Sequence, residues 1–159
     1  MKIIGLFCVG LFVLFSSLGY QREVLRREKE TEGFLLLLRH IRSRILCFRE
    51  PISDIIHSFE NKYLQKYGFL DMAKTNTPAK AFAVYRQGSL LSQQTMENLT
   101  CFFEGLGKSY AAGEVSHCDY YIALLEKELE YLRQESPKKI KLCRSLLYTG
   151  GLVTVILFL

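Results

Sequence analysis

The sequence carries 16 acidic residues, yet none precedes Glu23 and none follows Glu135. Residues 3–20 hold no charged side chain at all, and neither do residues 145–159. A water-soluble core is therefore confined to what lies between, roughly residues 21–141, which is the size of one ordinary domain. That middle holds every acidic residue and all basic ones except Lys2 and Arg144, a net charge of +3. So balanced a surface excludes a nucleic-acid binder, whose phosphate contacts need a clustered excess of Lys and Arg. Paired cysteine motifs are missing too. Cys8, Cys47, Cys101, Cys118 and Cys143 form no CxxC, and their odd number argues against a disulfide framework. They read as reduced thiols in a cytosol-facing protein, with Cys8 and Cys143 acting as small hydrophobes in or beside the apolar ends.

What is present at the two ends points to a membrane. Residues 3–20, as a helix rising ~1.5 Å per residue, cover ~27 Å of a ~30 Å hydrocarbon layer. An N-terminal transmembrane helix over 1–21 is expected. Lys2 ahead of the run and the small residues Ser16, Ser17 and Gly19 within it also fit a cleaved signal, which would make the rest a secreted or periplasmic helical protein. The second run is shorter, and a C-terminal transmembrane helix over 142–159 requires Arg144 to snorkel its guanidinium to the interface. Arg22, Arg26 and Arg27 follow the first run, and Lys138, Lys139, Lys141 and Arg144 flank the start of the second. The positive-inside rule then places residues 22–141 in the cytoplasm and both termini outside. These basic collars would also attract anionic lipid, at ~1 kcal/mol per residue.

Between the ends the apolar spacing is helical, and no alternating strand pattern competes with it. Pro51 suits the start of a helix carrying Ile52, Ile55, Ile56, Phe59 and Tyr63 and ending near Gly68. Thr77 and Pro78 open another, and Ser92 can cap a third with Met96, Leu99, Phe103 and Leu106, ended by Gly107. A longer helix over about 22–49 has the stripe Leu35, Leu38, Ile41, Ile45 and Phe48, continuing out of the first run. Another, over about 114–135, has Cys118, Tyr121, Leu125, Leu129 and Leu132, before Ser136 and Pro137 restart a helix toward the C-terminus. The expected fold is all-α: a helical bundle of two long and three shorter helices, with membrane-spanning helices at both ends.

Recognisable catalytic chemistry is missing. The stretch "GLGKS" (105–109) ends like a phosphate-binding loop, but the position of that loop's first glycine is Phe102 and a helix rather than a strand precedes it. His117, Cys118 and Asp119 are metal-ligand types, yet successive helical residues point about 100° apart and do not converge on one ion. His40 and His57 have no partner at ligand spacing. No Ser, Cys or Thr stands in a recognisable nucleophile setting, which leaves a small membrane enzyme using Cys118 or His117 as the weakest reading. No cofactor is expected.

Four stretches, in order over the whole length, carry a resemblance. They are "YQREVLRREKE" (20–30), "FREPISDII" (48–56), "LGKSYAAGEV" (106–115) and "KLCRSLLYTGGLVTVILFL" (141–159). The chain resembles the stage III sporulation protein AB family of endospore-forming bacteria, which is similar to the cytoplasmic domains of the type II secretion F component. The resemblance implies a non-enzymatic membrane scaffold in the mother-cell membrane, part of a secretion-like channel and contacting a secretion-type ATPase, like stage III sporulation protein AA, and other channel components. It supplies no catalytic residue, and homo-oligomerisation stays open. A bundle held at both ends would present its far turns to the cytosol. Those around 68–78 and 105–113, with Asp71, Lys74, Lys80 and Lys108, are the candidate docking residues.

Overall fold

A computed structural model describes the backbone of residues 2–48 and 50–158, and the side chains of residues 19, 22–48, 50–135, 137–138, 140–142, 145 and 148–149. Its elements are α1 (Lys2–Phe48), α2 (Ile52–Ser58), α3 (Lys62–Lys66), α4 (Phe69–Thr75), α5 (Pro78–Tyr85), a 3₁₀ turn (Arg86–Gly88), α6 (Gln93–Gly105) and α7 (Ala111–Phe158). The all-α expectation holds, with no strand among the described residues. The chain divides into two compact units, one of Met1–Arg26 and Tyr131–Leu159, the other of Arg27–Glu130.

The first unit consists of the outer parts of α1 and α7, whose backbones are helical. The spans expected over 1–21 and 142–159 fall almost wholly on side chains outside the described residues. Among the described residues, no helix is long and apolar enough to cross a membrane. A fresh helix start was expected at Ser136 and Pro137. Instead α7 runs through Pro137 without a break. Proline in a helix interior removes one hydrogen-bond donor, and the helix continues on both sides of that loss.

The Arg27–Glu130 unit is a helical bundle around aromatic rings. Phe34 of α1 is fully buried, with its ring centroid 5.0 Å from Phe69, 5.5 Å from both Phe82 and Tyr85, and 6.3 Å from Phe103, each in an edge-to-face arrangement. Such pairs contribute ~0.5–1.5 kcal/mol each beyond their area burial. Leu35, Leu38, Ile41 and Ile45 are buried as their spacing predicts, and so are Leu37 and Phe34 beside them. Phe48 is not. It is 64% exposed at the end of α1, with the Arg44 guanidinium 5.4 Å from its ring centroid. On α7 the buried stripe within this unit is Cys118, Ile122, Leu125 and Leu129. Arg27 bonds Glu128 at 3.0 Å, Arg39 bonds Glu126 at 2.6 Å and Arg42 pairs with Asp119, so positions rising along α1 meet positions falling along α7. The two helices run antiparallel here. Pairs that are exposed or only partly buried fix register more than stability, which the buried rings carry.

The single helix expected from Pro51 to Gly68 is two. Phe59 adopts an extended backbone, with φ −82° and ψ 131°, and turns into the core beside the His40 ring at 5.2 Å. The Asn61 side chain then accepts from the amides of Tyr63 at 3.0 Å and Leu64 at 3.1 Å, opening α3. Asparagine offers the backbone this local alternative to continuing a helix. Tyr63 is consequently exposed rather than part of an apolar stripe. Gly68, with φ +79°, both closes α3 and precedes α4, so residues 69–75, expected as part of a turn, form a helix. The bundle thus has five short helices in place of the expected three.

A candidate docking cleft

The α4–α5 turn is built from local rules. Lys74 and Thr75 end α4, the Asn76 backbone is extended, and Pro78 occupies the first position of α5, where its missing amide is harmless. Thr77 precedes it as expected, but its side chain makes no capping hydrogen bond; its carbonyl accepts from the Ala81 amide at 3.0 Å instead. Ser92 does cap α6, accepting from the Thr95 amide at 3.2 Å. That helix ends at Gly105, and the chain reverses through Gly107 at φ +83°, a left-handed conformation that glycine adopts without strain.

Between α2, this turn and the end of α6 lies a cleft of about 440 Å³. Ile52, Ile56, Ala73, Phe103 and Leu106 form its apolar lining, and His57, Lys74, Asn76 and Thr77 add polar groups. None of the residues lining it is acidic. Gly107 packs close by, since a Cβ there would stand 3.1 Å from the Ile52 Cδ1. Pockets of ~300–1,000 Å³ with an apolar lining and a few polar groups are the usual size for ligand or side-chain capture.

Of the candidate docking residues, only Lys74 lines the cleft, half-buried in the last turn of α4 rather than on a loop. Asp71 is exposed in the first turn of the same helix, Lys80 is exposed in α5, and Lys108 is exposed in the α6–α7 connection. Among the basic residues expected at the membrane, Arg22 is exposed and Arg26 half-buried, while Arg27 is engaged with Glu128. Lys138 is exposed and bonds Glu135 at 3.3 Å, and Lys141 is exposed. The side chains of Lys139 and Arg144 lie outside the described residues.

The three metal-ligand types at 117–119 each have a different surrounding. The His117 Nε2 donates to the Phe102 carbonyl at 3.1 Å, with the ring stacked on Phe102 at 5.2 Å. Cys118 is fully buried, and burial, reinforced by the nearby Glu114 charge, pushes its thiol up to about 12. At that value the nucleophilic thiolate is scarce near neutrality. Asp119 pairs with Arg42. Within "GLGKS", the Ser109 amide donates to the buried Glu114 carboxylate at 2.8 Å, so this amide is taken by an acidic group of the chain itself.

The sequence profile of the stage III sporulation protein AB family matches residues 2–159. The chain belongs to that family. Its role therefore lies in stage III of sporulation. Neither a curated protein nor a solved structure matches it. The stretches that carry the resemblance hold Arg27 and Glu30 on α1, Ile52 and Ile56 at the cleft, and the Ser109–Glu114 bond that starts α7. Sequence spacing had assigned Ile52, Ile56, Phe103 and Leu106 to the core. Each does pack in or against it, and each also lines the cleft.

Proposed function

We propose that this family member is a non-enzymatic, membrane-anchored scaffold of a secretion-like channel, whose Arg27–Glu130 unit docks a secretion-type ATPase. Residues 1–21 and 142–159 anchor it in the mother-cell membrane as two spans. The bundle between them is cytoplasmic, with Arg22, Arg26, Arg27, Lys138, Lys139, Lys141 and Arg144 at the entries.

One observation supports the docking most: an apolar cleft without acidic lining, with Lys74 in its wall. The chain enters this unit at Arg27, and Phe48 lies 21 residues farther along α1, about 32 Å by helical rise. Ile52 opens the cleft just beyond.

Reversing charge at Lys74, Lys80 and Lys108 together tests the reading. Co-purification of the ATPase and spore yield should both fall, and residual binding should weaken further with salt. Helicity should be unchanged, because Lys80 and Lys108 are exposed, Lys74 is only half-buried, and charges outside a packed core alter stability little. Normal sporulation with unchanged co-purification would discard this surface.

A further inference from the structure

We propose that the cleft receives a short acidic peptide segment of a protein partner, seating one bulky apolar side chain against Ile52, Ile56, Phe103 and Leu106 with adjacent carboxylates on Lys74. The inference rests on the docking reading and names the chemistry it requires. At about 440 Å³ the cleft is larger than one side chain needs, leaving room for a stretch of backbone. Its lining includes Lys74 and His57 but no Asp or Glu.

That local bias is not a reflection of the whole unit. Residues 27–130 contain 13 basic and 14 acidic side chains, so a cleft lined by one lysine and no carboxylate differs locally from a near-neutral body and selects charge there. The start of α5 agrees in sign. Thr77 leaves α5 without a side-chain cap, and a partner carboxylate beside it would meet the positive end of the helix. An apolar anchor with an acidic flank is the occupant that satisfies both halves of this surface. A lipid headgroup would use Lys74 alone and leave the apolar wall to an acyl chain, an occupant that the displacement arm of the test below separates from a peptide.

The test uses the full chain in neutral detergent and an array of short Glu/Asp-rich peptides in which one Leu, Met or Phe is moved through the sequence. Fluorescence anisotropy should detect binding that needs both the apolar residue and the carboxylates. Two substitutions should each weaken it by about tenfold: Lys74→Glu, which reverses the wall charge, and Ala79→Trp, which fills the cleft without changing charge. Circular dichroism should show both variants folded. Absence of binding by any peptide, or binding indifferent to both substitutions, overturns the proposal. Displacement of bound peptide by short-chain phosphatidylglycerol, but not by phosphatidylcholine, also overturns it and assigns the cleft to lipid. ATPase co-purification read in the same variants separates the two ideas. If it survives Ala79→Trp but not the triple charge reversal, docking stands and the cleft is not its seat.

Discussion

The Glu30 carboxylate of α1, fully buried, accepts hydrogen bonds from the Ser89 hydroxyl at 2.8 Å and the Leu90 amide at 3.2 Å. Fifty-nine residues separate Glu30 from Ser89, so this bond ties the loop before α6 to the first long helix. A buried carboxylate is tolerated only where donors replace its water. The Ser89 oxygen in turn accepts from the Leu91 amide at 3.1 Å, which organises the chain just ahead of the Ser92 cap.

Glu30→Ala should therefore destabilise the bundle by about 1–2 kcal/mol, because it leaves the half-buried Ser89 and Leu90 donors without this partner, and Ser89→Ala by about 1 kcal/mol, because it removes one of the buried carboxylate's donors. Denaturant titration of the full chain, followed by circular dichroism, measures both. Equal and negligible effects would show that the carboxylate is not holding the loop.

Gly105 lies under His117 so closely that a Cβ would stand 2.6 Å from the ring's Cε1. Gly105→Ala should cost about 1–3 kcal/mol by pushing the imidazole off the Phe102 carbonyl. His117→Ala removes the obstacle, so adding it to Gly105→Ala should cost less than it does alone. A double-mutant cycle in denaturant reads this coupling. Strict additivity would contradict the contact.

Cys118 should make stability depend on alkaline pH. Burial raises its folded-state value from 9.0 to about 12, so the folded chain holds the proton more tightly than the unfolded one. The contribution is complete below pH 9 and is lost as pH rises from about 9 to 12. Cys118→Ala should accordingly lose less stability than the parent across that window. At neutral pH iodoacetamide should modify the exposed Cys47 and Cys101 and spare Cys118 until the chain is unfolded.

Topology is tested at Tyr110, which is 94% exposed ahead of α7. With Cys8, Cys47, Cys101 and Cys143 replaced by Ser and Cys118 left buried, a Tyr110→Cys variant should resist membrane-impermeant maleimide in intact cells and react after lysis. Labelling before lysis would overturn the cytoplasmic assignment of the bundle.

How far the fold was legible follows from the reach of each signal. Pro78 and Ser92 announce helix starts because their effect is local, within one turn. The stripe on α1 was readable for the same reason, although the run Leu35–Leu36–Leu37–Leu38 hides which leucine faces water, and Leu36 is the exposed one. Helix α4 was not readable: seven residues give no periodicity, and Gly68 looks like an end without announcing the start that follows it. Asn61 could have been found, since an Asn between two apolar runs is a capping signal. Glu30 could not, because its burial is decided by Ser89 and Leu90, and in sequence it is one charge among many. The cleft was invisible for a related reason. Ile52, Ile56, Phe103 and Leu106 carry the same apolar pattern whether a neighbour covers them or not.

The central claim is a partner seated at the α4–α5 turn. Its most direct test is a photo-crosslinking benzoylphenylalanine at Ala79, in the cleft wall, expressed in the full chain in sporulating cells. An ultraviolet-dependent adduct with the secretion-type ATPase should form and should disappear when Lys74, Lys80 and Lys108 are reversed. An adduct with lipid or with a second copy of this chain alone, or no adduct at Ala79 while the ATPase still co-purifies, would contradict it.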